Sequence, residues 1–282
     1  MRSLLLARGR ALTGCACAAI AAGIAGCTAT GATSSSVPGN TLTIYMSKPP
    51  GATPSEQQDV LSAERLAFQQ IGSQVGKFTI RLVQVDGNEL SANARAAIAD
   101  PNTIAYLGEL EPGSSGDTLG ITNAQDVLQV SPTDTAAELT ESVPEVSGSP
   151  DVYYESLSAN GRTFARVVPT DKLEAKALVG EMQALGVKSL FMIAQPTYGA
   201  VLGAFIMSDA SSAGIKLVPP GNPIGSTPAD GVLYAGDSVG GAARLFNQAA
   251  AAHPSVKLFT SSAMAEDSLV SALSPTAQRD LY

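Results

Sequence analysis

Residues 103–140 read TIAYLGELEPGSSGDTLGITNAQDVLQVSPTDTAAELT, and the order of patterns within them decides the fold. A short apolar run, Ile104 to Leu107, breaks at Gly108. Small polar residues follow (Gly113, Ser114, Ser115, Gly116, Asp117), and a helical pattern resumes through Leu119, Ile121 and Ala124. The motif recurs one strand later, where VLQV runs into Ser131, Thr133, Asp134 and Thr135 before another expected helix. Successive strand–turn–helix units predict parallel strands joined by helical crossovers. In such a doubly wound sheet, consecutive strand ends face one crevice, and ligands bind there. Ser114, Ser115, Thr133 and Thr135 are therefore candidate ligand contacts. The competing role for Thr133 and Asp134 is helix capping, with Glu138 completing a capping box to Asp134 or Thr135.

The same alternation extends outward from this stretch. Upstream, LTIYM (42–46) reads as a strand. A helix opens at Pro54-Ser55-Glu56 with Val60, Leu61, Ala63, Leu66, Ala67 and Ile71 near 3.6-residue spacing. KFTIRLVQVD alternates as a strand, and ELSANARAAIAD is a helix ending before Pro101. Residues 141–160 have no period and carry acids, Pro, Ser and Gly, which suits an excursion or linker. Beyond them come TFARVV, a helix over 170–185, SLFMIA, a helix over 197–213, IKLV, GVLYAG, a helix through His253, and VKLFT. The prediction is an α/β protein of two lobes, each a mostly parallel sheet flanked by helices, with residues 41–160 in the first and 161–282 in the second.

The N-terminus is a separate matter. Arg2, Arg8 and Arg10 precede ALTGCACAAIAAGIAG (11–26), a run short for crossing ~30 Å of hydrocarbon. Its end, Ile24-Ala25-Gly26-Cys27, resembles a bacterial lipobox. That resemblance implies a signal peptide over 1–26 and a diacylglycerol on Cys27. Residues 27–40 then read as a flexible tether, small and polar, to the extracytoplasmic face of a bacterial cell membrane. Losing the three arginines takes the net charge from -8 to -11. So acidic a chain is a poor match for nucleic acid. Of three cysteines, Cys15 and Cys17 fall in the removed segment, leaving no disulfide and no thiolate metal site.

An enzyme needs a nucleophile, base or metal site, and little is on offer. His253 is the only histidine and stands before a proline at a helix end. It reads as a surface residue there, so no metal, cofactor or catalytic residue is expected. Gly108 and Gly113 have P-loop spacing, but Ser114-Ser115 stand where Lys-Ser/Thr belongs, and Glu109 and Glu111 add negative charge. A carboxylate or a neutral polar group suits the turn better than a phosphate does.

The stretch 103–140, with GRTFARVVPTDKLEAKALVGEMQALGVKSLFMI (161–193) and IAQPTYGAVLGAFI, resembles the branched-chain amino acid binding proteins that serve ABC importers. The resemblance runs from Leu42 to Tyr282. It implies a type I periplasmic-binding-protein fold that closes on its ligand by a hinge. It also implies a monomeric, lipid-anchored receptor that hands a small molecule, an amino acid of branched-chain type or similar, to an ABC permease. By the same resemblance Thr135 gives a hydroxyl and Thr133 a backbone group to the ligand head group, and Tyr198 is an aromatic from the second lobe. Pro112 stands in place of the family serine, with Ser114 or Ser115 as substitutes. The acid for a ligand ammonium is expected near Ala263, with Glu266 and Asp237 as candidates, because an uncompensated ammonium in a closed cleft is costly. Family members are longer and return to complete the first lobe, and PPGNPIGSTPAD (219–230) is shorter than the helix expected there. Two expectations follow, a fragment of a longer reading frame or a reduced relative, and a first lobe lacking its last elements would expose apolar surface unless something covers it. Two rival readings are a sensor or structural lipoprotein that kept the fold without transport, and an exported hydrolase, which the lone His253 disfavours.

Overall fold

The structure is a computed structural model that describes residues 38–48, 54–196, 198–219 and 229–282. The expected signal peptide and the expected lipidation site, Cys27, lie outside the described residues, as does most of the expected tether. Two sheets carry the described chain. The first has the order β2-β3-β1-β4-β5-β6. Its strands are β1 (Thr41–Ser47), β2 (Gln74–Val75), β3 (Phe78–Val85), β4 (Thr103–Leu107), β5 (Leu128–Ser131) and β6 (Phe164–Arg166). All pair in parallel except β2, which returns on β3 as an antiparallel edge. The helices interleaved with them are α1 (Pro54–Ile71), α2 (Leu90–Ile98), α3 (Gly116–Ala124) and the single turn α4 (Leu157–Asn160).

The second sheet has the order β10-β9-β7-β8 and is parallel throughout. It contains β7 (Ser189–Ala194), β8 (Lys216–Val218), β9 (Gly231–Ala235) and β10 (Lys257–Thr260). Its helices are α5 (Asp171–Ala184), α6 (Tyr198–Ser212), α7 (Val239–Ala252), α8 (Asp267–Ala272) and α9 (Pro275–Arg279). In both sheets the chain adds a strand on one side of the first strand and then crosses to the other. This is the switch in strand order that opens a crevice at the carboxyl ends.

Side-chain periodicity explains the packing. Strand β9 is buried along its whole length, so its two faces feed two cores. Val232 and Tyr234 pack with Leu258 and with the α7 stripe Ala242, Leu245, Phe246 and Ala249. Leu233 faces Leu190, Phe259, Leu202 and Ile206 under α5 and α6. Helix α7 is started by Ser238, whose hydroxyl accepts the Gly241 N–H at 3.2 Å. The first sheet buries Tyr45 and Tyr106 with Ala94 and Ala97 of α2. Elsewhere in this half apolar side chains stay exposed, including Ile71 at 79%, Val167 at 76% and Leu128 at 45%.

Three expectations change. Strand β6, which the sequence pattern puts at the head of the second lobe, pairs with β5, so the first sheet continues through Arg166. The patternless stretch 141–160 is packed: Tyr153 and Tyr154 sit against Leu119 and Leu139, and the Tyr154 hydroxyl donates to the Leu139 carbonyl at 2.9 Å. Buried Tyr154 and half-buried Tyr153 anchor it without any period. Past β5 only a 3-10 turn forms, Ala137–Leu139, and Glu138 makes no capping box. Asp134 is engaged elsewhere. Among the described residues no helix is long and apolar enough to cross a membrane.

Candidate ligand-binding cleft

The loop after β4 shows where Asp134 goes. Its carboxylate accepts the N–H groups of Gly113 at 2.7 Å, Ser115 at 3.0 Å and Ala136 at 3.0 Å. Those glycine and serine amides are the donors that fit the turn for an anion, and a side chain of the protein fills them. Ser115 is fully buried, and its hydroxyl accepts the Glu109 N–H at 3.1 Å. The Ser114 hydroxyl donates to the Glu111 carbonyl at 2.5 Å. Ser114 and Ser115 thus hold the loop together, and neither lines the cleft described below.

Glu109 ties four elements to one point. Its carboxylate accepts from the Ser47 hydroxyl at 2.8 Å, at the end of β1, and from the Tyr106 hydroxyl in β4. Its carbonyl accepts from Ser131 at the end of β5, and its N–H reaches Ser115 at the start of α3. Glycine is required beside it, because a Cβ on Gly108, at φ +145°, comes within 2.8 Å of Ser47 Cβ. Burial pushes the Glu109 carboxyl up to about 7 against the lowering effect of the two hydroxyls.

Strand ends of both sheets meet around a cleft of about 530 Å³. From the first half come Asp59 and Val60 of α1, Leu110 to Pro112 after β4, Thr133 and Thr135 after β5, and Val168 and Pro169 after β6. The second half gives Ser262, Ala263, Ala265 and Glu266 after β10. Thr133 donates its hydroxyl to the Leu110 carbonyl and so fixes the two first-lobe loops to each other.

Helix α5 connects the two walls. At its first residue the Asp171 N–H donates to the Thr135 carbonyl at 2.9 Å, which binds it to the first sheet's loop. One turn on, the Glu174 carboxylate accepts the Ser262 N–H at 2.6 Å and the Ser262 hydroxyl at 3.0 Å. Beneath Thr135 lies a group of polar side chains with unmet capacity. Both carboxyl oxygens of Asp171, the Tyr198 hydroxyl and the Thr135 hydroxyl are buried without a hydrogen bond. Thr135 lies beside both of the others, close enough to act on their ionisation. Burial pushes the Asp171 carboxyl up to about 7, and neighbouring Glu174, Glu138 and Asp134 push the same way. Burial likewise raises the Tyr198 hydroxyl and Glu174.

Of the residues singled out from sequence, the structure brings Thr133, Thr135 and Glu266 to the cleft wall and puts Tyr198 at α6's start, behind Thr135. Asp237 does not line the cleft; it is exposed after β9, and its N–H donates to Gln195 Oε1 at 2.7 Å. Asp171 and Glu174 went unread in the sequence, and Glu109 was read only as a charge against phosphate. The available signal was the acids placed at strand ends and helix starts, where an ordinary N-terminal acid looks the same.

No protein-family model matches the chain, and no curated sequence does either. Solved structures do. A leucine-binding protein from Thermotoga maritima is 16% identical, with a TM-score of 0.63 over 83% of this chain and 67% of that one. A solute-binding protein of an ABC transporter from Rhodopseudomonas palustris BisB5, solved with 3,4-dihydroxybenzoic acid, is 14% identical, with a TM-score of 0.64 over 84% and 66%. The branched-chain amino acid binding protein LivJ from Streptococcus pneumoniae, solved with isoleucine, is 13% identical, with a TM-score of 0.59 over 82% and 67%. The chain thus spans about two thirds of their length. With its two switched parallel sheets and strand-end cleft, the chain has the fold of the type I periplasmic binding proteins.

Proposed function

We propose that the protein is an extracytoplasmic solute-binding protein. In this reading a lipid on Cys27 anchors it, and it captures a small polar metabolite, an amino acid first among them, for an ABC importer. It binds and releases its ligand without chemistry. One observation carries the reading: strand-end loops of two sheets converge on a single cleft of a size suited to a small metabolite. Thr133, Thr135 and Tyr198 are the groups proposed to hold the ligand, and closing of the two walls would present a surface to the permease. Structural neighbours solved with leucine, benzoate or isoleucine support a binding role.

Calorimetric titration of the chain with amino acids and small aromatic acids tests this. Saturable binding, lost in Thr135→Val, supports the reading; no binding across the panel contradicts it. Ala263 lines the cleft where an ammonium-pairing acid was expected, which favours a second reading, a receptor that senses without transport. Uptake of the bound ligand by cells, lost on deleting the gene, separates the two.

A further inference from the structure

The distribution of charge around the cleft is one-sided. Asp59, Glu111 and Glu266 line it, and among the described residues no lysine or arginine does. Arg166, close enough to Asp171 for their charges to interact, is engaged: it donates to the carbonyls of Asp134 at 3.2 Å and Ala136 at 2.7 Å and to the Thr140 hydroxyl at 3.1 Å. The amides best placed to receive a carboxylate are filled by Asp134. Below the wall, Thr135 is 8% exposed with its hydroxyl unbonded, and behind it the fully buried Asp171 has both oxygens unbonded. A buried carboxylate whose neighbouring hydroxyl, Thr135, is itself unengaged and borders a binding cleft is a site short of positive charge.

The geometry points to an organic cation as the ligand, bound through an alkylammonium or guanidinium group. This rests on the binding-protein reading above and narrows its ligand class. The ligand N–H donates to the Thr135 hydroxyl, which turns its own hydrogen toward the Asp171 carboxylate. Asp171 therefore acts through Thr135, and the rim acids supply the remaining negative field. A hydroxyl can accept one such bond and donate the other, which lets a carboxylate sealed from solvent take part. Among the described residues no cluster suits a metal ion, so the charge is that of an amine or guanidine. Raised by burial, Asp171 must lose its proton to serve. The groups facing it are Glu174 on its own helix, Asp134 and Glu138 from the loop after β5, Arg166 from β6 and Tyr198 from α6.

The test is isothermal titration of the full chain with arginine, lysine and 1,4-diaminobutane, set against leucine, isoleucine and benzoate. At least one cation is expected to bind, about tenfold more weakly at pH 6 than at pH 8, since Asp171 titrates at about 7. Asp171→Asn should weaken it at least tenfold and flatten the pH profile, while Thr135→Ser retains binding and Thr135→Val does not. If Asp171→Asn fails to fold, the threonine pair and the wild-type pH profile carry the same test. Binding of leucine, isoleucine or benzoate with no cation bound overturns the cation but leaves the binding-protein reading standing. Cation binding indifferent to Asp171→Asn and Thr135→Val overturns the assigned contacts. No binding by any of the six compounds overturns both.

Discussion

Asp134 and Ser115 are 19 positions apart in the chain, and the carboxylate of one accepts the backbone N–H of the other at 3.0 Å. That contact decides what the loop after β4 does. A turn that offers its amides to an anion is closed by the protein's own acid, and it serves as a rigid edge of the cleft.

Replacing Asp134 with alanine leaves the buried amides of Ser115 and Ala136 and the half-buried amide of Gly113 without their acceptor. Each unmade bond of this kind costs about 1–3 kcal/mol, so an overall loss of ~3 kcal/mol is expected. Asparagine, which keeps one acceptor oxygen, should lose less. Urea unfolding reads the difference as a lowered midpoint at unchanged slope.

Stability should fall as pH rises from about 4 to 7. Glu109 and Asp171 both titrate near 7 in the folded protein. In the unfolded chain they titrate near 4, so over that window the native state holds protons the unfolded state has released. The contribution is full below pH 4 and gone above 7, on the order of 4 kcal/mol per group at most. Glu109→Gln should remove one share of the slope in a series of urea titrations; an unchanged slope would show that Glu109 is already ionised in the fold.

Tyr198→Phe removes a buried hydroxyl that has no hydrogen bond. Thermal stability is expected to stay within about 0.5 kcal/mol of wild type or to rise, since nothing is left unpaired. Ligand affinity should nevertheless drop. A stability loss above ~1.5 kcal/mol would instead mean that the hydroxyl is bonded within the apo fold.

Gly199→Ala tests the seat of α6. A Cβ there comes 2.2 Å from the Ala235 carbonyl oxygen, a backbone atom at the end of β9 that cannot swing away. Overpacking of this sort costs about 1–3 kcal/mol. A lower melting temperature is expected, against Gly180→Ala as control, where a Cβ meets nothing within 4 Å. Equal melting temperatures would refute the close packing.

The strands and helices were legible because their apolar spacing is a one-dimensional signal. The α7 stripe and the VLQV strand can be read without knowing their neighbours. Thr133 and Thr135 were legible for a related reason: strand ends of a parallel sheet converge wherever they stand in the chain. What stayed hidden depended on partners far away. Asp134 looks like a helix cap until Gly113 and Ser115 are brought to it, and Asp171 looks like an ordinary first-turn acid until Thr135 and Tyr198 cover it. Strand β6 is three residues long, and only its pairing with β5 assigns it to the first sheet.

The central claim is that a small molecule is held between loops of both sheets. Amide hydrogen exchange of the chain, with and without the tightest ligand found by calorimetry, tests it most directly. Joint protection of residues 110–111 and 133–135 on one wall and 262–266 on the other is the predicted result. Protection confined to one wall, protection far from both, or no ligand to bring to the experiment would contradict the account.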